Sequence, residues 1–131
     1  MAVISTELHT RSNVVKQDLW ADLGYCHTVV VVNDTAQTLA MGTVLGKVTA
    51  GGKYKKATET AIDGSKVADA IVIEAKTILG TTDTNVLCLT RGPSVVSKSG
   101  MVIDATYNDA TKLAAVYAAL EAKGISVLDT I

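Results

Sequence analysis

The last third of the chain contains an element order that any fold of this protein must accommodate. Over residues 109–123, apolar side chains recur at the helical spacing i, i+3, i+4 and i+7, and alanines fill many positions between them. This pattern predicts an amphipathic helix. Gly124 follows where a helix can end in a left-handed residue, and residues 125–128 then predict a direct return to a β-sheet. The apolar helix positions are Leu113, Val116, Tyr117 and Leu120.

Polar residues mark both ends of this predicted helix. Thr106 or Asn108 can cap its first turn, and Asp109 stands near the positive end of the helix dipole. Lys123 stands at the negative end, where a cation is favoured. We therefore expect the helix to begin close to Asp109 with Thr106 or Asn108 as its cap.

The region before the helix consists of short strand-like runs. Residues 28–32 form a continuous β-branched run, the pattern of a strand that is covered on both faces. Residues 43–50 and 53–58 are strand-like on either side of Gly51-Gly52. Two adjacent residues that can adopt positive φ between two strands predict a tight hairpin.

Two further apolar runs predict buried strands. Residues 67–74 contain the triplet Ile71-Val72-Ile73, and residues 86–89 are short and apolar. Gly92-Pro93 ends the second run, and Pro93 is the only proline. We expect a rigid turn there with a trans peptide bond, because the cis form is the minority even before proline.

The first 24 residues differ from the rest of the chain. Their apolar residues come in isolated fragments separated by serine, threonine and asparagine, and neither the strand nor the helix period is held. We interpret residues 1–24 as an extended N-terminal arm, mobile in the free protein and ordered by a partner, with a short helix over 16–23 as an alternative. Residues 25–131 are then a single small, mostly β (α+β) domain, barrel-like, with one C-terminal amphipathic helix.

Composition and charge exclude several classes of partner. With 12 Lys plus Arg and 13 Asp plus Glu, the net charge of −1 gives no general attraction to nucleic acid or anionic membranes. No run of 18 apolar residues occurs, and Glu7, His9 and Arg11 stand where a signal peptide needs an apolar core. Valine, threonine and alanine occur 17 times each and phenylalanine is absent. Such a core buries little area per residue, so association would offset modest stability.

The side chains most often used in catalysis do not form a recognisable set. Cys26 and Cys88 are expected to be buried thiols rather than a disulfide in a reducing compartment. The adjacent Cys26 and His27 would point to opposite faces of a strand, which disfavours a catalytic pair. No CxxC or HxxxH occurs. We expect no catalytic residue, no cofactor, no metal and no small-molecule substrate.

Two weaker motifs need a structural explanation. Residues 42–48 resemble a phosphate-binding loop, but three residues rather than four separate the glycines, and Val48 stands where a serine or threonine must reach magnesium. Asp63, Asp69 and Glu74 are the nearest approach to a carboxylate cluster. A small hydrolase that used Asp69 or Glu74 would require a deep polar cleft.

The one basic cluster comprises Lys53, Lys55 and Lys56. It is interpreted as a solvated strand edge that discourages pairing with other copies. A nucleic-acid patch is the alternative, but Tyr54 is its only supporting aromatic residue.

Several short motifs, in this order and spacing, resemble the head decoration proteins of lambda-like bacteriophages. Each is weak by itself, because it consists of turn glycines and apolar strand residues. They are Gly24-Tyr25 with Thr28-Val29-Val30, Gly42-Thr43-Val44-Leu45-Gly46-Lys47-Val48, Gly51-Gly52-Lys53-Tyr54, Asp63-Gly64-Ser65 with Ala68 and Ile71, Arg91-Gly92-Pro93, and Leu120-Glu121-Ala122-Lys123-Gly124-Ile125.

The resemblance implies a viral structural protein rather than an enzyme. Such a homotrimeric decoration, or cement, protein binds the outer surface of the expanded capsid at three-fold and quasi-three-fold positions and stabilises it against internal DNA pressure. Its partners are the major capsid protein and itself, and it resides in the host cytoplasm during assembly and on the virion afterwards. The alternative is a cellular β-barrel binding module that pairs its N-terminal arm with a partner protein.

In that family the N-terminal arm adds a strand to the capsid protein, and main-chain hydrogen bonds would supply the affinity. The sequence departs from the better-known members in its arm, at Leu19-Trp20 and Cys26-His27. Trp20 is either a core residue or an interface residue. The residues that match the capsid-binding arm are Ala2, Val3, Ile4, Leu8, Val14 and Val15.

Overall fold

A computed structural model describes residues 15–18, 26–80 and 82–129 of the chain, and for residues 16–18 it describes the main chain only. Within these residues it contains ten β-strands, β1 to β10, and one α-helix, α1. The strands are β1 Val15–Asp18, β2 His27–Val32, β3 Gln37–Leu39, β4 Val44–Lys47, β5 Tyr54–Lys56, β6 Ala68–Val72, β7 Lys76–Ile78, β8 Thr84–Leu89, β9 Ser94–Ser97 and β10 Ile125–Leu128, and the helix is α1 Ala110–Glu121.

Five strands close into a barrel in the order β2, β5, β4, β6, β8. Neighbours are antiparallel except β2 and β5, which meet in parallel at Val32 and Tyr54. A five-stranded barrel has a narrow interior, so small side chains fill it and the absence of phenylalanine fits this geometry. Its buried residues, with two from the small β3–β7 sheet, are Val30, Val32, Leu39, Leu45, Ala70, Val72, Ile78, Val86 and Cys88.

A second layer packs on the outside of the barrel. It consists of α1 and a three-stranded sheet in the order β1, β9, β10, in which β10 runs parallel to β9 and β1 antiparallel to it. Leu120 of α1 and Ile125 of β10 are fully buried with Ile71 of the barrel strand β6. The predicted unit of helix, Gly124 and strand is therefore confirmed, and Gly124 has the expected positive φ of 85°.

The N-terminal cap of α1 differs from the prediction. Asp109 caps the helix, because its carboxylate accepts a hydrogen bond from the Lys112 backbone N–H at 2.9 Å. The predicted caps have other partners: the Thr106 hydroxyl donates to Asp104 Oδ2, and the Asn108 side-chain oxygen accepts from Lys112 Nζ. The prediction of Thr106 or Asn108 as cap was wrong because neighbouring groups compete for these side chains.

Strand β2 is confirmed, but the prediction that both its faces are covered was wrong. Val30 and Val32 are buried, whereas Val29 and Val31 are 58% and 37% exposed. Successive side chains of a strand point to opposite faces, and a closed barrel provides one interior. A run of β-branched residues does not show which face is uncovered.

One of the two predicted turns has the expected conformation, and the other differs from the prediction. Gly51 and Gly52 both have positive φ, and the Val48 N–H donates to Lys53 O at 2.8 Å, so the tight hairpin between β4 and β5 is confirmed. The Gly92-Pro93 peptide bond is cis, so the expected trans bond was wrong. The tertiary amide of proline makes the cis form accessible.

The predicted boundary between arm and body stays a prediction, because residues 1–14 and 19–25 lie outside the described residues. Val15–Asp18 form a strand that pairs with β9. The alternative of a short helix over 16–23 is therefore wrong for residues 16–18, whose main chain is extended and bonded to the sheet.

Candidate functional site

The N-terminal segment joins the body at β1, the outer strand of the three-stranded sheet among the described residues. Val15 is buried, and its Cα lies opposite Val96 of β9, which in turn lies opposite Val127 of β10. Among the described strands, none pairs with the outer side of β1. The sheet therefore anchors β1 to the body through a core valine.

Most residues predicted to bind the capsid lie outside the described residues. This holds for Ala2, Val3, Ile4, Leu8 and Val14, and also for Trp20. Their contacts stay predictions. Val15 is the one member that the structure places, and its buried side chain packs in the core cluster that includes Ile125 and Val127.

The basic cluster is neutralised by aspartates from three different loops. Lys53 lies 2.9 Å from Asp83, Lys55 lies 3.2 Å from Asp63, and Lys56 lies 3.6 Å from Asp104, each between Nζ and a carboxylate oxygen. The prediction of a protective strand edge was wrong, because β5 is paired with β4 on one side and β2 on the other. Lys53 and Lys55 thus connect β5 and the turn before it to barrel loops, and Lys56 connects β5 to the segment before α1.

Asp69 joins the barrel to the end of α1. It lies at an irregularity of β6, since Leu45 pairs with Ala70 and Gly46 with Ala68. Its carboxylate accepts a hydrogen bond from Lys123 Nζ at 2.9 Å and another from the Tyr54 hydroxyl. The carboxylate is therefore held by structural partners.

The electrostatics of this contact favour the charged carboxylate. Partial burial alone would raise the pKa of Asp69, but the hydrogen bonds from Lys123 and Tyr54 and the charges of Lys123 and Lys47 outweigh it and lower that pKa. Burial, followed by the Asp69 hydrogen bond, raises the pKa of the Tyr54 hydroxyl.

We expect Asp69→Asn to lower the stability at neutral pH by about 1 kcal/mol, because a hydrogen-bonded charge is lost at a partly exposed site. The folded pKa lies below that of the unfolded chain, so Asp69 stabilises the protein above the unfolded pKa of roughly 3.9 and loses this effect as the pH falls through the folded value. The stability gap between wild type and variant should therefore narrow in acid. Urea unfolding at pH 7 and near pH 3 measures it.

Glu74→Gln is the matched control, since Glu74 is exposed. It should leave the stability unchanged at both pH values. A gap between wild type and Asp69→Asn that widened in acid would contradict the assigned direction of the Asp69 pKa.

Two cavities among the described residues give the hydrolase alternative no support. A polar cavity of about 300 Å³ is bordered by Asp34 of the β2–β3 connection, by Lys56 of β5 and by Asp104 of the segment between β9 and α1. An apolar cavity of about 110 Å³ lies between α1 and Val67. Neither Asp69 nor Glu74 borders these cavities.

Both cysteines are buried, and no disulfide joins them, as predicted. The Cys26 thiol contacts the carbonyl oxygen of Pro93 at 3.6 Å. Burial raises the pKa of the Cys88 thiol to about 12, so it is protonated at neutral pH. His27, next to the buried Cys26, is partly exposed.

Within the described part of the chain, no three His, Cys, Asp or Glu side chains gather in a way that could hold a metal ion. No helix in the same residues has the length and apolar character to cross a membrane.

Fold and site together define a small β-barrel protein. Its strand β1 pairs with β9, and its three clustered lysines form ion pairs with aspartates. A family model described as bacteriophage lambda head decoration protein D matches residues 9–125. The chain belongs to this family, which is a structural family of phage heads and not an enzyme class. Its role is therefore in capsid decoration on the virion, not that of the cellular binding module. No curated protein matches the chain.

Proposed function

We propose that the chain is a homotrimeric cement protein that binds the outer surface of the expanded phage capsid at three-fold and quasi-three-fold positions. It stabilises the shell against internal DNA pressure and acts by binding rather than by catalysis. Its partners are the major capsid protein and further copies of itself, and it assembles in the host cytoplasm. The family match over residues 9–125 carries this proposal.

The N-terminal segment is proposed to add a strand to the capsid protein. It joins the body at β1, whose first residue Val15 is buried and paired with β9. A segment anchored in this way transmits force from the capsid directly to the folded body. Main-chain hydrogen bonds would give affinity, and alternate apolar side chains would fix the register.

Association between copies is supported by uncovered apolar side chains. Val29 and Val31 lie on the outer face of β2, and Ile62 is fully exposed in the β5–β6 connection. Removing a valine or isoleucine side chain from water contributes about 1.5 to 3 kcal/mol. A trimer that covered some of these residues would offset the modest stability of a core rich in valine and alanine.

Expanded, DNA-free capsids provide the test. Adding the full chain should raise the melting temperature of these capsids in a concentration-dependent way, because at a hundredfold excess over Kd each bound site gains about 2.7 kcal/mol. Sedimentation of the free and bound protein reports the number of copies. Capsids that melt at the same temperature with and without a saturating amount of the chain would contradict the proposed function.

A further inference from the structure

The sheet end from which the N-terminal segment leaves the body also carries exposed residues of β10. Val15, Val96 and Val127 form one row across the sheet, and Leu128 lies one residue further along, opposite Ser97. Adjacent strands are about 4.8 Å apart, so Val127 lies about 10 Å from Val15. Because β1 is antiparallel to β9, Val15 is the end of β1 that lies nearest to the level of Ser97 and Leu128.

We name this end of the sheet the junction face and define it by Leu128, Asp129, Lys98 and Tyr117. The Leu128 side chain is 44% exposed. Lys98 Nζ lies 3.1 Å from Asp129 Oδ1 and 4.8 Å from the centre of the Tyr117 ring, so the lysine is held in place on two sides. Leu128 is thus an exposed apolar residue that directly precedes the aspartate of this ion pair in the chain. Protein interfaces combine apolar anchors with a polar rim in this way.

We propose that the junction face is a second contact with the capsid protein that receives the N-terminal segment. This inference rests on the proposed function. The partner surface is an apolar depression for Leu128, bordered by hydrogen-bond donors for the Asp129 carboxylate, whose side chain is 92% exposed.

Chain length places the capsid close to this face. If the added strand ends at Leu8, residues 9–14 remain as a connection, and six extended residues span at most about 20 Å. If the strand includes Val14, the connection disappears, because Val15 is already in β1. In both cases the capsid surface comes within reach of Leu128.

Two linked contacts bind more tightly than either alone. Once the segment is bound, the junction face meets the capsid as an intramolecular partner at high effective concentration. With the added strand as its only attachment, the body could rotate about the connection between that strand and β1. A second contact at the junction face would limit this rotation.

Leu128→Asp in the full chain tests the proposal by titration onto expanded, DNA-free capsids. We expect binding to weaken by at least about tenfold, because a charge replaces the apolar anchor. The thermal unfolding of the free protein should stay unchanged, since the side chain points outward. Asp129→Lys should also weaken binding, most strongly at low salt.

Leu79→Asp is the matched control, because Leu79 is also an exposed leucine, at 68%. It directly follows β7, whose Ile78 packs in the barrel interior and not in the core that contains Val15 and Val127. The variant should bind like wild type. Two results together would overturn the role of the junction face and leave the proposed function standing: Leu128→Asp binds with wild-type affinity, and removal of the N-terminal segment abolishes binding. A Leu128→Asp variant that dissociates into monomers but binds normally per chain would assign the face to a contact between copies. Failure of the wild-type chain to bind would overturn both.

Discussion

Replacing Gly92 with alanine is expected to lower the free energy of unfolding by about 3 kcal/mol or more. A Cβ atom at this position would lie only 1.8 Å from the carbonyl oxygen of Gly124 and 2.3 Å from its carbonyl carbon. Both are backbone atoms, so no side-chain rotation relieves the contact. The two chain segments would have to separate.

This close approach brings together the starts of two strands. The Gly92 N–H donates to Lys123 O at 3.0 Å, and the Ser94 N–H donates to Gly124 O at 3.3 Å. From here β9 and β10 run in parallel as far as Ser97 and Leu128. Because β1 pairs with the same β9, separation at Gly92 would also disturb the sheet that anchors the N-terminal segment.

Gly51→Ala is the control variant, because it measures the cost of losing glycine's conformational freedom without a steric clash. Gly51 has φ of +90°, but an added Cβ would meet no atom within 4 Å, so its cost is that of a left-handed alanine, about 1 to 2 kcal/mol. Gly92 is not among the glycines with positive φ, so its cost is steric. Urea unfolding of both purified variants gives the comparison. A smaller loss for Gly92→Ala than for Gly51→Ala would contradict the close contact.

Local signals predict those elements whose partners lie nearby in sequence. The helix ends at Gly124 and leads into β10 because the apolar period, the glycine and the strand residues are adjacent. The Gly51-Gly52 hairpin is predicted for the same reason. At the helix end and at this hairpin, neighbouring residues are enough to determine the backbone conformation.

The wrong predictions concern residues whose environment is set by contacts distant in sequence or by competing neighbours. Lys55 and Lys56 are typical of an edge strand, but closure of the barrel gives β5 a second neighbour. Val29 and Val31 are as apolar as Val30, and the register of β2 in the closed barrel decides which of them face inward. Thr106 could cap a helix, but Asp104 competes for its hydroxyl.

The candidate site was predictable only in part. The family resemblance, carried by turn glycines and apolar strands, predicts the role in capsid decoration that the family match confirms. The sequence does not predict the junction face, because that face depends on the register that places Leu128 one residue beyond the row of Val15, Val96 and Val127. Similarly, Asp69 and Lys123 are 54 residues apart, and no local pattern connects them.

Deletion of residues 2–14 is expected to weaken binding to expanded capsids by at least about 100-fold. An added strand of about six residues replaces water with several main-chain hydrogen bonds, each of which contributes about 0.5 to 1.5 kcal/mol. Losing about 2.7 kcal/mol corresponds to a 100-fold change in Kd. The deletion stops before Val15, because that residue is buried in the core and its removal would destabilise the body.

The body should keep its stability after this deletion, because β1, β9 and β10 remain. Sedimentation with expanded capsids measures binding, and urea unfolding measures stability. Ile4→Pro and Ile4→Ala in the full chain then distinguish the source of the affinity. Proline removes a main-chain donor from the added strand, so it should weaken binding more than alanine, which removes only a side chain. Equal binding by the truncated and full-length chains would show that the body alone attaches to the capsid and that strand addition is not the mechanism.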